Sequence, residues 1–281
     1  MNTVISWCRH CGRPGPLTNE HVPPRSASND APVSLVVAPF DATSVVREVA
    51  EWDEGHVVST LGPLCNKRAS DWGYVAEYRR WFELLVAQAR AVAQQENADP
   101  LRGTRPFEID LSYDVHPARF VRQVPGMFLA LQTTEHLFAA HPVLAELIGP
   151  EPSDDSKRRV DGLDIAPLRL YVSVCNANWS YLTTPMLAVE ANLSAESKLL
   201  WTPPSSTRSY PDDVLILCVA PFAFVLTTRN ASDLGQDVSH WTQWSVDQRL
   251  RKTERRLALP TADKLQGAIR AMIYPANYVV R

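Results

Sequence analysis

Near the start of the chain two cysteines, Cys8 and Cys11, are separated by two residues. At this spacing a tight backbone turn can direct both sulfurs at one tetrahedral metal ion. A redox pair of the thioredoxin type would instead lie at the start of a helix, and the glycines and prolines at positions 12 and 14–16 forbid a helix directly after Cys11. The pattern therefore predicts a compact metal-binding knuckle, followed by a loop, over residues 1 to about 31.

The bulk composition limits the classes of function. The 281 residues are 45% hydrophobic, which is enough to bury a core, and the formal net charge is −3, so a nucleic-acid partner would need a local basic surface. The sequence shows no signal-peptide pattern and no apolar run near the ~20 residues that a membrane helix needs. We expect a soluble, cytoplasmic protein without a membrane partner, in which cysteines bind metal rather than form disulfides.

Apolar patterns predict the secondary structure of the first part of the chain. The β-branched runs 33–37 and 57–61 are predicted strands. From Cys65 to about Asn97 the apolar residues follow helical spacing without an internal proline, which predicts one long helix. The segment 99–105, with proline, glycine and two arginines, is the predicted linker.

The pattern beyond the linker is mixed. Strands are predicted at 107–113, 168–175, 186–189 and 214–227, and helices at 116–133, 136–147 and 245–256. The charged segment 151–161 is a predicted exposed loop. The expected fold class is α+β, with one domain over residues 1–98 and a mixed α/β domain over residues 106–281.

Two short motifs follow the knuckle. An acid directly precedes a histidine in Glu20-His21, before two prolines, and a cysteine directly precedes an amide in Cys65-Asn66, at the predicted start of the long helix. This order of Cys-x-x-Cys, acid-His and Cys-Asn resembles the zinc-bearing branch of the HNH (His-Me finger) endonucleases. The resemblance covers roughly residues 8–82, and the run 65–74 looks like the helix opening of bacterial HNH-domain proteins of unknown function.

The resemblance implies a fold and a division of roles. The first domain would contain a zinc-clasped ββα finger of the treble-clef (HNH) type, followed by the long helix. Glu20 and Asn66 would bind a catalytic Mg²⁺ or Mn²⁺, and His21 would be the general base. A structural Zn²⁺ would be bound by Cys8, Cys11 and Cys65.

These residue types suit the hydrolysis of a phosphodiester. A neutral imidazole has a pKa close enough to cytosolic pH to take a proton from water. A divalent ion held by one carboxylate and one amide keeps open positions for phosphate oxygens. Because adjacent residues of an extended segment point to opposite sides, Glu20 and His21 can divide these two tasks.

The chain departs from the family pattern at two positions. The residue three before Cys65, where a second Cys-x-x-Cys pair would begin, is Gly62, so one zinc ligand is missing. The fourth ligand could be His10, His56 or a water molecule. It is also left open that the site binds no zinc. The other departure is Glu20, where aspartate is commoner, which keeps the charge on a longer side chain.

The sequence thus predicts a metal-dependent endonuclease acting on DNA, with RNA as the other substrate left open. Residues 106–281 would serve recognition, regulation, or assembly with a second copy or a partner protein. One alternative is a degenerate HNH domain that uses its zinc as a scaffold and binds nucleic acid, or assembles with a partner, without cleavage. A redox or zinc-storage protein built on Cys8 and Cys11 ranks far lower.

Simpler interpretations remain for individual residues. His21 could be a turn histidine, Asn66 a helix cap and Cys65 a buried free thiol. Basic residues on or near the predicted helix and beyond it are candidates for phosphate contacts, the alternative being a solvated surface that balances nearby acids. These residues are Lys67, Arg68, Arg79, Arg80, Arg102, Arg105, Arg119 and Arg122.

Overall fold

The computed structural model describes residues 5–27, 33–37, 47–52, 57–96, 105–111, 114–131, 142–148, 162–174, 187–190, 215–219, 221–228, 230–232, 234–250, 255–261 and 271–275. Over these residues the fold is mixed α/β, with four α-helices and fourteen strands. Of the helices described, none combines the length and the apolar character needed to cross a membrane.

The elements alternate along the chain. The helices are α1 (Pro63–Asp71), α2 (Tyr74–Glu96), α3 (Pro117–Leu131) and α4 (Val143–Ile148). The first strands are β1 (Ile5–Trp7), β2 (Pro14–Pro16), β3 (Thr18–His21), β4 (Val33–Val37), β5 (Arg47–Trp52), β6 (Val57–Leu61) and β7 (Phe107–Asp110). The later strands are β8 (Arg169–Val174), β9 (Leu187–Glu190), β10 (Leu215–Val219), β11 (Phe222–Thr227), β12 (Gln236–Asp237), β13 (Arg256–Leu259) and β14 (Ala271–Pro275).

An eight-stranded antiparallel sheet is the largest element. Its strand order is β12-β8-β11-β10-β9-β14-β4-β5. Strand β11 is apolar except for Thr227 at its end, and every residue is buried, which is typical of a strand covered on both faces. The sheet therefore provides the scaffold against which the helices pack.

The core lies between this sheet and helices α2 and α3. On α2, Tyr74, Tyr78, Trp81, Leu85 and Ala89 recur at helical spacing and all are fully buried. On α3, Phe120 stacks on Trp81 with ring centroids 4.3 Å apart, and on Tyr78 at 5.9 Å. Phe222 and Phe224 of β11 complete the aromatic cluster. The rigid core fixes α2 and α3, which border the candidate site.

Three small pairs of strands lie outside the large sheet. Strand β1 pairs with β2, β7 with β13, and β3 with β6, all antiparallel. In the β3–β6 pair His21 lies opposite Val57, and α1 begins at Pro63, directly after Gly62. These N-terminal elements hold the residues that the sequence singled out.

The predicted strands 33–37 and 57–61 are confirmed as β4 and β6, and the strand at 107–113 as the shorter β7. Strands are also confirmed at β8 and β9, and helices at α3 and α4. The part of the predicted helix 136–147 before residue 142 lies outside the described residues, as do residues 98–104 of the predicted helix end and linker, and the predicted loop 151–161.

Three predictions were wrong in detail. The single long helix is two helices, because Gly73 has φ +77°, a conformation that ends α1. The run 214–227 is a hairpin of two strands, β10 and β11, rather than one. The predicted helix 245–256 is absent from its described residues. Residues 245–250 are turn and coil, where the carbonyl of the buried Val246 accepts a hydrogen bond from Arg119 of α3 at 2.8 Å, and 256–259 form strand β13, which pairs with β7.

Both halves of the chain contribute to the sheet and the core. Strands β4 and β5 come from before residue 99, and the other six strands of the large sheet come from after residue 105. The same apolar cluster includes Val22 and Trp81 together with Phe222. The division into residues 1–98 and 106–281 stays a prediction from the sequence.

Candidate functional site

The knuckle between β1 and β2 presents two cysteines. The N–H of Cys8 donates to the Arg13 carbonyl at 2.9 Å, and the N–H of Gly12 donates to the Cys8 carbonyl at 2.8 Å. Gly12 has φ +66°, which few other residues adopt easily, so glycine is required for this tight turn. The turn brings Cys11 back beside Cys8.

Helix α1 adds a third sulfur to this pair. The sulfurs of Cys8, Cys11 and Cys65 all lie within 4.8 Å of one another. Cys8 and Cys65 are buried, while Cys11 is partly exposed. This three-cysteine group could bind a metal ion such as zinc, since sulfurs around a tetrahedral zinc lie about 3.8 Å apart.

The two buried cysteines, Cys8 and Cys65, are hydrogen bonded to each other. The Cys65 thiol hydrogen bonds to the Cys8 sulfur, which lowers the pKa of Cys8 below its usual range, although burial opposes this. The same interaction, together with burial, raises the pKa of Cys65. Of the two thiols, Cys8 therefore loses its proton more readily, and a thiolate is the form of cysteine that binds metal.

The structure excludes one of the candidates for the fourth zinc ligand. His10 does not join the sulfur group, and its Nε2 lies 3.2 Å from the carbonyl oxygen of Ala145, on α4. His56 lies outside the described residues. Gly62 adjoins the group, since a Cβ built on it would lie 3.9 Å from the Cys8 sulfur.

The residues between the two knuckle cysteines attach the knuckle to the helices of the later part of the chain. Arg9 donates from Nη1 to the Ala130 carbonyl at 2.7 Å, at the C-terminal end of α3. His10 contacts α4 through Ala145. The knuckle is therefore fixed relative to α3 and α4, which also form one wall of the neighbouring cleft.

That cleft has a volume of about 320 Å³ and collects the other predicted site residues. Glu20 and His21 of β3 and Asn66 of α1 all line it. The antiparallel pairing of β3 with β6 and the start of α1 directly after β6 bring these two parts of the sequence together. The acid, the imidazole and the amide thus share one cavity.

Glu20 is the most buried of the three, at 6% exposure. Its Oε1 accepts a hydrogen bond from the N–H of Leu61 at 2.8 Å. Burial raises the pKa of Glu20 to about 7, although the backbone hydrogen bonds oppose this. A cation in the cleft would favour the carboxylate form, because it would offset the cost of burying the charge.

Asn66 lies in the first turn of α1 but does not cap it. The cap position is Gly62, whose carbonyl accepts the N–H of Asn66 at 3.0 Å. The Asn66 amide nitrogen donates to Thr18 Oγ1 at 3.0 Å and to the Asn19 carbonyl at 3.4 Å. With the nitrogen engaged on β3, the amide oxygen is the atom suited to a metal.

His21 is the last residue of β3 and is half-buried. The chain enters the protein interior immediately after it, since Val22, Pro23 and Pro24 are all buried. This anchoring limits the positions that the imidazole can reach. It also explains the two prolines of the motif, which need no N–H donor at this exit from the strand.

The sequence pattern did not indicate which residues of the later part of the chain line the cleft. Gln123, Gly126, Met127 and Ala130 of α3 and Ile148 of α4 line it. Gln123 is 7% exposed, and its Oε1 has no hydrogen-bond partner among the residues that the structure describes. An amide within an otherwise apolar face of α3 was a signal that could have found this residue.

The predicted basic residues behave differently from one another. Arg79 pairs with Glu83 at 2.7 Å and Lys67 with Asp71 at 2.6 Å, all four with exposed side chains. Arg119 binds Asp247. Arg122 is 1% exposed, so it is neither a phosphate contact at the surface nor a solvated surface residue, and both interpretations of Arg122 were wrong. Arg102 lies outside the described residues.

Comparisons with known proteins add no relative to this picture. No protein-family model matches the chain, no curated protein matches it, and no solved structure matches it.

Proposed function

We propose that this chain is a metal-dependent endonuclease of the HNH type that hydrolyses phosphodiester bonds in DNA. The observation that carries the proposal is the single cleft lined by Glu20, His21 and Asn66. A base and two oxygen donors for a divalent ion are the groups that such hydrolysis requires. Metal-dependent nicking of supercoiled plasmid DNA, and its loss in the His21 variant described in the Discussion, tests the proposal.

The arrangement of β3, β6 and α1 also favours this proposal. Strands β3 and β6 pair antiparallel and α1 follows β6 directly, which resembles the arrangement of a ββα finger with β4 and β5 inserted between its two strands, and the knuckle precedes it. We assign Zn²⁺ to the three-cysteine group as a structural ion that fastens the knuckle to α1. The finger would then hold β3 and α1 at the spacing that the cleft needs.

In the proposed mechanism the residues of the chain have separate tasks. His21 takes a proton from the attacking water through its neutral imidazole. The Glu20 carboxylate and the Asn66 amide oxygen would hold Mg²⁺ or Mn²⁺, which when bound stabilises negative charge on the phosphate and the leaving oxygen. The hydrogen bonds of Asn66 to Thr18 and Asn19 orient its amide.

Replacing Glu20 with glutamine is expected to raise the Mg²⁺ or Mn²⁺ concentration needed for half-maximal nicking by at least about tenfold, because a charged ligand becomes neutral. Excess metal should recover part of the rate. The fold should not suffer, since the glutamine oxygen can still accept the N–H of Leu61 and no charge is then buried. Metal titrations of nicking and thermal melts without metal measure the two effects.

Glu108→Gln is the matched control for this variant, because it makes the same chemical change at an exposed residue of β7 that does not line the cleft. It should leave the metal requirement within about twofold. An unchanged metal requirement in Glu20→Gln would remove Glu20 from the ligand set.

Replacing Arg79 and Arg80 with alanine is expected to weaken DNA binding by a similar factor for different sequences and to flatten its salt dependence, as the loss of phosphate contacts does. Both residues are exposed on α2, and Arg79 lies one turn beyond Val75, which lines the cleft. Binding titrations at several salt concentrations measure the effect. Arg90→Ala, an exposed change further along the same helix, is the control. If DNA binding by wild type and by the double variant depends equally on salt, Arg79 and Arg80 are ordinary solvated surface residues.

A further inference from the structure

The three-cysteine group is one donor short of the four that a tetrahedral zinc takes. Among the described residues no fourth His, Cys, Asp or Glu contributes a ligand atom to the group. The nearby His10 is directed at the Ala145 carbonyl. The fourth coordination position therefore depends on what lies on the remaining side of the sulfurs.

Gly62 lies on that side. A Cβ built on Gly62 would lie 3.8 Å from the Cβ and 3.9 Å from the sulfur of Cys8. Gly62 has φ −70° and ψ 159°, an extended conformation that any residue can adopt. The backbone thus does not require glycine here. What Gly62 contributes is the absence of a side chain beside the sulfurs.

A cavity of about 150 Å³ occupies the space next to Gly62. All three cysteines line it together with Gly62. Its other walls are mainly apolar, and Arg13 adds a positive charge. Since one water takes up about 30 Å³ in the liquid, the cavity is large enough for a ligand group of several heavy atoms.

We propose that the metal bound by Cys8, Cys11 and Cys65 takes its fourth ligand through this cavity from outside the chain, and that this ligand is a thiolate. Zinc and other soft or borderline ions favour sulfur donors, the apolar walls suit the carbon atoms of a thiol, and Arg13 offsets part of the added negative charge. The incoming thiol loses its proton to solvent as its sulfur binds the metal. The proposal is independent of any cleavage activity.

Cobalt-loaded full-length protein tests this, because the absorption of Co²⁺ reports the number of sulfur ligands. Adding 2-mercaptoethanol to wild type should intensify the sulfur-to-cobalt and d–d bands to saturation, with cobalt retained after desalting. Gly62→Cys should show the four-sulfur spectrum without added thiol, should not respond to thiol, and should bind Co²⁺ at least about tenfold more tightly. Gly62→Ala, which adds only the Cβ, should respond as wild type does.

The source of the thiolate is resolved by a second titration with a short apolar peptide that contains one cysteine. Saturation at a much lower concentration than with 2-mercaptoethanol would indicate a polypeptide cysteine, and equal or weaker binding a small free thiol. The proposal is overturned if wild type binds no cobalt, if it has the four-sulfur spectrum before thiol is added, or if it responds to imidazole but not to thiol.

Discussion

Replacing His21 with alanine is expected to lower metal-dependent plasmid nicking by a factor on the order of 10²–10⁴, the contribution typical of general acid–base catalysis. The imidazole is the proposed base, whereas Glu20 and Asn66 hold the metal, so metal and DNA binding should remain within about twofold of wild type. In wild type the rate should rise with pH as the imidazole and the Glu20 carboxyl, whose pKa burial raises to about 7, lose their protons, and then level off. Initial nicking rates and binding titrations measure the two effects.

His240→Ala is the matched control. His240 is exposed, does not line the cleft, and contacts only the rings of Trp241 and Trp244 among the interactions described. Its replacement should leave the nicking rate unchanged. Full activity in His21→Ala would refute the assignment of a nuclease to this cleft. A wild type that binds DNA but does not cleave it, whichever metal is added, would favour a degenerate HNH domain that binds without cutting.

Removing the metal from the three-cysteine group is expected to lower the melting temperature by roughly 10 °C. An ion present at 1,000 times its Kd stabilises the fold that binds it by about 4 kcal/mol, which for a protein of this size corresponds to a shift of that order. The expected loss is large because a bound ion would link Cys65 of α1 to Cys8 of the knuckle. Thermal melts before and after chelation, together with a metal analysis expected to find about one zinc per chain, measure it.

Cys65→Ser supplies the control for chelation. It should melt at the lower temperature from the outset and show no further change with a chelator, because it no longer binds the ion tightly. Adding zinc back, but not magnesium, should restore the wild type. An unchanged melting temperature in chelated wild type, with no zinc found in the purified protein, would show that a bound metal does not stabilise the fold.

Local patterns predicted several features correctly. The spacing of Cys8 and Cys11 and the glycines and prolines after them predicted a knuckle rather than a helix, and the structure has such a turn between β1 and β2. The β-branched runs became β4 and β6. These features depend on residues close together in the chain, whose conformations are restricted by their own sterics and hydrogen bonds.

Contacts between distant segments could not be predicted in the same way. The sequence alone did not reveal that Arg9 and His10 attach the knuckle to α3 and α4, or that Gln123 lies across the cleft from Glu20 and His21. Each of these depends on how helices and sheet pack, and packing is set by the whole core rather than by a motif.

The sequence by itself determined the chemical types at this site: three sulfurs, an acid, an imidazole and an amide, in a fixed order along the chain. Only the tertiary structure decided which of these side chains lie next to one another. The pairing of β3 with β6 and the start of α1 after Gly62 bring Cys65 to the knuckle and Asn66 to β3, and the cavity beside Gly62 exists because no side chain fills it. Which distant strand pairs with β3, and how the helices pack, depends on segments far apart in the chain, so no pattern within one segment specifies them.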